Sequence, residues 1–321
     1  MFVTRDLPGG ALERLTARHD VEVWPGRLPP PRDELLARAP QLEGLLSLLT
    51  DPVDAELMDA APDLRAISNY AVGVDNVDVE AATARGIPVG NTPGVLTEST
   101  ADLALALMLG IARRLAEGEA FVRAGEWATW EPGLMLGRDL HGATVGVVGY
   151  GRIGQRTAAL GAAVGMTVLA YDPVNEPPAD VRCADLADLV RRSDVLTLHL
   201  PLLDSTSHLV NDSLLAQVRR GAIIVNCGRG GLMDLDAVHA ALLDGRLGGV
   251  GLDVFDPEPP GHHPLFDHPD VVLTPHVMGL SRRGTEATFA AAAQGVVDVL
   301  AGRSPGAVAN PDWNTEPAVR S

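Results

Sequence analysis

Residues 145–154 read VGVVGYGRIG, and this stretch decides the fold. An apolar run, Thr144–Val148, enters a glycine turn with the spacing GxGxxG at Gly149, Gly151 and Gly154, and helix-forming residues follow from Gln155. The first glycine permits a tight turn and the second lets the backbone approach a pyrophosphate. The third allows close helix–strand packing, while the N–H groups of Arg152 and Ile153 face the anion at a helix N-terminus. A glycine turn alone is a weak signal. Here the next strand, Thr167–Tyr171, ends in Asp172, 18 residues after Gly154. A carboxylate there accepts hydrogen bonds from ribose hydroxyls and repels a 2′-phosphate, so the pattern points to NAD(H) rather than NADP(H).

Working outward, a second fact is the lateness of this motif. Five strand-like runs precede it: Met1–Thr4, Val21–Trp24, Leu45–Leu49, Leu64–Ser68 and Ile87–Val89. After Thr144–Val148 and Thr167–Tyr171 come Val195–Leu198, Ala222–Asn226, Gly249–Val254 and Val271–Thr274. Strands alternating with helical stretches indicate parallel sheets covered by helices. A long helix is expected from about Ser99 to Glu117, because Leu103, Leu107, Ile111 and Leu115 recur every four residues. A last helix, Thr285–Leu300, has no strand of its own, and the tail 302–321 reads as a wrap-around or frayed end. The expected architecture is α/β, with two doubly wound parallel-sheet domains. A Rossmann cofactor domain, residues 99–285, is inserted into a flavodoxin-like substrate domain made of residues 1–98 and 286–321.

A chain of 321 residues is long enough for two such domains. Hydrophobic residues at 46% and charged residues at 21% fit a globular protein. A net charge of −17 argues against nucleic acid and anionic membrane as partners, since both need basic surface. Cys183 and Cys227 stand in no disulfide or zinc pattern, no signal-peptide pattern opens the chain, and the longest apolar run is too short for a bilayer. A cytoplasmic location is expected. His262, His263 and His268 fall in a Pro/Gly-rich loop without a carboxylate cluster, and no metal site is expected.

Three ionisable residues lie just beyond strand ends, where open parallel sheets bind ligands: Arg229, Glu258 and His276. Reducing a ketone takes a hydride from a nicotinamide and a proton for the developing alkoxide. Protonated His276 can give that proton near neutral pH. Glu258 would stabilise the imidazolium and orient the ring, and Arg229 would grip a substrate carboxylate and polarise the adjacent carbonyl. Taken singly, each has a blander reading, for example an Arg229–Asp236 ion pair. Together they favour catalysis.

At these residues the chain resembles the NAD-dependent D-2-hydroxyacid dehydrogenase family, most closely its glyoxylate/hydroxypyruvate reductase branch. The resemblance runs through Asn69–Asn76 (NYAVGVDN), Asn91–Thr97 (NTPGVLT), Thr100–Asp102, Gly149–Gly154, Asn226–Gly230 (NCGRG), Gly251–Phe255 (GLDVF) and Thr274–His276. It implies that Arg229, Glu258 and His276 are the catalytic trio, and that Asp253 holds the nicotinamide amide. It also implies cofactor contacts at Thr100, Pro201 and Cys227. Val72 and Gly73 would offer backbone N–H groups to the substrate carboxylate, Leu48 would form an apolar wall, and Trp130 would be lent by a partner subunit in a homodimer. The implied reaction transfers a hydride from NADH to the 2-carbonyl of a small 2-oxo acid, giving the D-2-hydroxy acid.

Two departures bear on the substrate. Val277-Met278-Gly279 follows His276 where the family usually has Ile-Gly-Ser, and Thr285 stands where an arginine is common, with Arg282 and Arg283 nearer. Those arginines open a second reading, the same chemistry on a doubly anionic oxo acid such as a phosphono-, phospho- or dicarboxylic one (phosphonopyruvate, for instance). A third, of another class, is an NAD(H)-sensing scaffold that resembles the dehydrogenases.

Overall fold

The computed structural model describes residues 1–7 and 10–314. The chain divides into two compact units, Met1–Leu96 with Leu280–Ser321, and Thr97–Gly279. These breaks fall slightly before the expected 98/99 and 285/286, because the helix that follows each one starts earlier, at Thr97 and at Arg282.

In the first unit, β1 (Phe2–Val3), β2 (Glu22–Val23), β3 (Gly44–Ser47), β4 (Ala66–Asn69) and β5 (Val89–Gly90) form a parallel sheet in the order β2-β1-β3-β4-β5. That is the flavodoxin-like order. Alternate strand residues feed two apolar layers. Phe2, Leu45, Ile67 and Val89 pack with Leu35, Leu57 and Met58. Val3 and Leu46 pack with Phe289, Ala292 and Val297 of helix Arg282–Leu300, which therefore covers the opposite face. The tail wraps back along β5. Val308 bridges Gly90, and the buried Asn310 side chain accepts from Val89 N–H at 2.8 Å and donates to Ile87 O at 2.9 Å. The expectation for residues 315–321 lies outside the described residues.

The second unit holds β6 (Thr144–Val148), β7 (Thr167–Tyr171), β8 (Val195–Leu198), β9 (Ala222–Asn226), β10 (Leu247–Leu252) and β11 (Val271–Leu273), all parallel, in the order β11-β10-β9-β8-β6-β7. A parallel bridge from Ala170 to Arg182 adds the stub of one more strand outside β7. With that stub the order is the Rossmann one, and β6 lies at the switch point, between β7 and β8. Alternation again makes two layers. Val145, Val147, Ile223 and Val225 meet Leu107, Met108 and Ile111, whereas Val148, Leu196, Leu198, Ile224 and Val250 face the other way. Among the described residues no helix is long and apolar enough to cross a membrane.

The expected strands are all present, displaced at their ends by at most two residues. The expected helix Ser99–Glu117 is corrected to two, Thr97–Ala112 and Leu115–Arg123. The chain turns at Arg114, whose φ of 51° is left-handed and whose guanidinium binds Glu117 at 2.5 Å and Asp270 at 3.3 Å. Leu107 and Ile111 stay in the core, while Leu115 is exposed on the second helix.

The glycine turn supplies the backbone that only glycine tolerates. Gly149 has φ 94°, and a Cβ on Gly154 would overlap the Gly149 carbonyl oxygen. The helix opens at Arg152, earlier than the expected Gln155, with Gly151 as an N-cap that makes no side-chain capping bond. Its first N–H groups are thus left for a ligand. Gly154→Ala is expected to cost roughly 1–3 kcal/mol by overpacking and to weaken NADH binding. Denaturant unfolding and fluorescence titration measure the two effects, and an alanine variant with wild-type values for both would contradict the packing argument.

Candidate active site

Three neighbouring strands end on one line. In the register, Asn226 of β9 lies opposite Leu252 of β10, which lies opposite Leu273 of β11. Arg229, Asp253 and His276 follow those ends directly, and Glu258 stands on the loop after β10. The sheet thus gathers at its carboxyl edge residues that are far apart in the chain, and the expected trio is brought together within the second unit.

The turn after β9 is shaped by Asn226, which is fully buried. Its side chain accepts from Gly228 N–H at 2.9 Å and donates to Arg229 O at 2.9 Å. Arg229 leaves this turn half-buried, with Nη1 donating to Gly228 O at 2.8 Å. A Cβ on Gly230 would overlap the backbone at Phe255 and Asp256, so glycine there lets the Glu258 loop pass close beside Arg229. The alternative partner Asp236 instead lies 3.2 Å from His263.

His276 Nδ1 meets Glu258 Oε2 at 2.7 Å, and Glu258 Oε1 accepts from Phe255 N–H at 2.8 Å. Partial burial pushes the Glu258 carboxyl up. The bonds from His276 and Phe255 and the charges of His276 and Arg229 outweigh this and hold it below the ordinary carboxylate range. The His276 side chain is 24% exposed, so a small molecule can reach it. Its Nε2 has no partner among the described residues. The ring can therefore be held through one nitrogen and exchange a proton through the other.

His276 has φ 51°, an unusual backbone for a residue with a Cβ. Asp253, fully buried, explains it. Its Oδ1 accepts from Thr274 Oγ1 at 2.6 Å and Val277 N–H at 2.8 Å, and its Oδ2 accepts from Met278 N–H at 2.9 Å. These donors bracket His276 on both sides. The Thr274 bond to Asp253 was not foreseen from the sequence, since a hydroxyl beside a strand end gives no distinctive signal.

The cofactor loops belong to the same unit. Gly149, Gly151, Arg152, Ile153 and Gly154 lie at the switch point, as described. Asp172 directly follows β7, with Oδ1 accepting from Val174 and Asn175 N–H at 2.7 and 2.8 Å and Oδ2 from Tyr150 N–H at 2.6 Å. Burial pushes this carboxyl up, but those bonds and the Asn175 amide bring it below its usual range, so it carries a full negative charge at neutral pH. The residues present fit NAD: a left-handed glycine, an uncapped helix start and a fixed anion at the ribose position. Thr100 is buried in helix Thr97–Ala112, and Pro201 is exposed past β8. Cys227 is buried, and burial, with Asp253 beside it, pushes its thiol up. His199, between β8 and Pro201, was also not anticipated. Burial drives its pKa down to about 4, its Nε2 lies 3.0 Å from Thr197 Oγ1, and its Nδ1 is enclosed without a partner, so the ring is neutral.

The remaining candidates are placed as follows. Leu48, Val72 and Gly73 lie in the first unit, on loops after β3 and β4. Arg282 and Arg283 also belong to it, exposed on the first turn of helix Arg282–Leu300, and neither forms an ion pair among the described residues. Trp130, in the second unit, is 75% exposed on a segment that runs over the surface after helix Leu115–Arg123, which itself buries no residue. His262, His263 and His268 each stand beside an aspartate, and among the described residues no three ligating side chains cluster around a metal position.

Comparison with known proteins agrees with this geometry. Residues 105–278 match the model of the D-isomer specific 2-hydroxyacid dehydrogenase NAD binding domain. The chain is 39% identical over 320 residues to a glyoxylate reductase of Thermococcus litoralis, covering 97% of each. It is 43% identical over 314 residues to a glyoxylate reductase of Aeropyrum pernix, covering 95% of this chain and 94% of that one. Among solved structures, the TT0316 protein of Thermus thermophilus superposes with a TM-score of 0.92 at 47% identity, over 96% of this chain and 99% of the other. A Rossmann unit with its glycine turn, a His–Glu pair on the same sheet and relatives that match along nearly the whole chain converge on one conclusion: the protein is an NAD-dependent oxidoreductase and belongs to the D-isomer specific 2-hydroxyacid dehydrogenase family.

Proposed function

We propose that the enzyme reduces glyoxylate, hydroxypyruvate or a similarly small 2-oxo acid, giving the corresponding D-2-hydroxy acid where the product is chiral. The observation that carries this reading is the His276–Glu258 contact of 2.7 Å beside Arg229 on the edge of the NAD-binding sheet. It is supported by relatives called glyoxylate reductases along nearly the whole chain. Bound NADH supplies the hydride. The chain's own residues do the rest. Arg229 pairs with the substrate carboxylate and draws electron density from the neighbouring carbonyl. His276 gives its Nε2 proton to the carbonyl oxygen as the alkoxide forms, and Glu258 keeps the ring oriented and its charged form stable. Glycines 149, 151 and 154, with the N–H groups of Arg152 and Ile153, hold the pyrophosphate, and Asp172 sits at the ribose. Thr100, Pro201, Cys227 and Asp253 are assigned to the cofactor, with Asp253 also clamping the His276 turn.

In the first unit we assign Val72 and Gly73 to the substrate carboxylate and Leu48 to the apolar wall. We assign the substrate domain to this unit, expected at residues 1–98 and 286–321, and the cofactor domain to the second, expected at residues 99–285. A homodimer is supported by the exposed apolar tract Leu115, Val122, Trp127, Trp130 and Leu136, with Trp130 reaching the partner's pocket. The proposed cytoplasmic location is compatible with two unpaired, buried cysteines.

The direct test follows NADH oxidation with glyoxylate, hydroxypyruvate and pyruvate. Turnover of the first two at enzymatic rates is expected. A protein that binds NADH and turns over no 2-oxo acid would instead be the NAD(H)-sensing scaffold. NADH should be preferred to NADPH, and Asp172→Ala should narrow the kcat/KM ratio by about tenfold through loss of one nearby charge. A wild-type preference for NADPH would remove Asp172 from that role.

The His–Glu pair sets a pH dependence. Glu258 titrates below the ordinary carboxylate range, so its ionised form is fully present above that range and is lost only as pH falls through the lowered value. Across neutral pH the carboxylate is therefore constant. An acid limb of kcat/KM set by Glu258 should therefore lie below the ordinary carboxylate range. Glu258→Gln keeps a hydrogen-bond partner for Nδ1 but removes the titrating carboxylate, so the acid limb of kcat/KM should be lost and its value at neutral pH should fall roughly tenfold. An unchanged profile would separate Glu258 from proton transfer.

The doubly anionic reading rests on Arg282 and Arg283. Two exposed cations on the first turn of a helix oppose its macrodipole at a cost of about 0.3–1 kcal/mol, which an anion would offset. If they bind substrate, a three-carbon oxo acid with a terminal anion should exceed glyoxylate in kcat/KM, and Arg282→Ala or Arg283→Ala should raise KM for that substrate alone. Equal effects on both substrates would leave them as surface residues.

A further inference from the structure

The loop that follows β4 has its carbonyls occupied one after another. Ala71 O accepts from Thr92 N–H at 2.8 Å, Val72 O from Asn91 Nδ2 at 2.8 Å and Gly73 O from Asn69 Nδ2 at 2.9 Å. Each of these peptide bonds is trans, so its N–H points away from its own carbonyl. Anchoring the three carbonyls therefore turns the N–H groups of Val72, Gly73 and Val74 away from the anchors. None of the three donates to another group among the described residues. Val72 is 39% exposed, so this backbone is within reach of a ligand.

The anchors are themselves fixed. Asn69 is fully buried. Its Oδ1 accepts from Ser47 Oγ at 3.1 Å, and the second hydrogen of its Nδ2 goes to Asn76 Oδ1 at 2.9 Å. Asn76 Nδ2 in turn donates to Leu48 O at 2.9 Å and Asp51 O at 2.8 Å. One amide pair thus ties the Leu48 segment to the Val72–Val74 loop. A buried amide with both donors used cannot flip without leaving a polar group unpaired, at a cost of about 1–3 kcal/mol.

We propose that Asn91 and Asn69 are positioning residues for substrate: by holding the Val72 and Gly73 carbonyls they aim the Gly73 and Val74 N–H groups at the substrate carboxylate, making Val74 a third donor beside Val72 and Gly73. This rests on the assignment of the loop to the carboxylate. Such donors act on the ground state and the transition state alike, so loosening them raises KM and leaves kcat in place.

The test uses Asn91→Ala, which removes one side-chain hydrogen bond at a half-buried position, with Asn69→Ser as a second variant and Asn91→Gln as the conservative control. KM for glyoxylate and the dissociation constant for oxamate, a carboxylate that is not reduced, are measured on the NADH-bound enzyme, together with kcat, NADH affinity and Tm. In Asn91→Ala both substrate-side constants should rise together by about tenfold, the scale of one hydrogen bond to a charged group. kcat and NADH affinity should stay within about twofold of the wild type, and Asn91→Gln should recover part of the loss. A structural role alone would lower Tm and the active fraction without moving KM or oxamate affinity, and that result overturns the proposal. So does a fall in kcat at constant KM. If Asn69→Ser does not fold, Asn91→Ala decides alone. A wild-type enzyme that neither binds oxamate nor turns over glyoxylate would overturn the functional reading itself, whereas tight wild-type binding unchanged in Asn91→Ala overturns only the positioning role.

Discussion

Asp253, buried at the end of β10, holds Thr274 Oγ1, Val277 N–H and Met278 N–H on its two oxygens, and the geometry of the reactive edge depends on those three bonds. A carboxylate removed from water costs several kcal/mol unless strong donors replace the lost hydration. Three short bonds do that here, so the turn cannot relax without uncovering the carboxylate. The strain of His276 at φ 51° is thereby sustained. A turn fixed in this way presents Nδ1 to Glu258 and leaves Nε2 outward. The same carboxylate acts behind the sheet. Together with burial it raises the Cys227 thiol, so that side chain stays protonated and uncharged at neutral pH.

The two units use one device at different places. A polar side chain, buried or half-buried, bonds to backbone groups of a loop and so decides where the loop's remaining groups point. In the second unit, Asp253 accepts N–H groups around His276 and Asn226 shapes the turn that carries Arg229. In the first, Asn69 and Asn91 take carbonyls and leave N–H groups outward. Strand ends supply the rigid base for each: Asn69 ends β4, Asn226 ends β9 and Asp253 follows β10. Loops anchored on strands in this way hold their geometry within narrow limits, as proton transfer and carboxylate recognition require.

Much of this was legible from residue order. The runs 144–148, 167–171, 195–198 and 222–226 are strands with those bounds, because four or five β-branched and apolar residues between turn signals leave little choice. The glycine turn and the placement of Arg229, Glu258 and His276 after strands were legible for the same reason. Other features were not. The stripe Leu103, Leu107, Ile111, Leu115 predicts one helix, yet the chain breaks at Arg114, which finds Asp270 from across the fold. Periodicity is blind to such a contact. The stub at Arg182 is a single bridge, too short to leave a pattern. The Asn69, Asn91 and Asp253 networks join residues by side-chain-to-backbone bonds whose partners only the folded chain defines.

The net charge of −17 places an anionic substrate in an unfavourable long-range field, although salt screens that field beyond about 8 Å at physiological ionic strength. Capture must therefore rest on short-range donors. Backbone N–H groups suit this task because they add no net charge that would disturb the ionisable pair. Arg229 differs, since its charge is one of the influences that lower Glu258. The guanidinium assigned to the substrate carboxylate is thus also a support for the ionised form of Glu258. When an anion binds, part of that support is neutralised. What remains is the contact with His276 at 2.7 Å and the Phe255 N–H at 2.8 Å, neither of which involves substrate. Those two bonds keep the Glu258 carboxylate ionised and fixed on the His276 ring while Arg229 is engaged, so the carboxylate does not depend on the guanidinium alone.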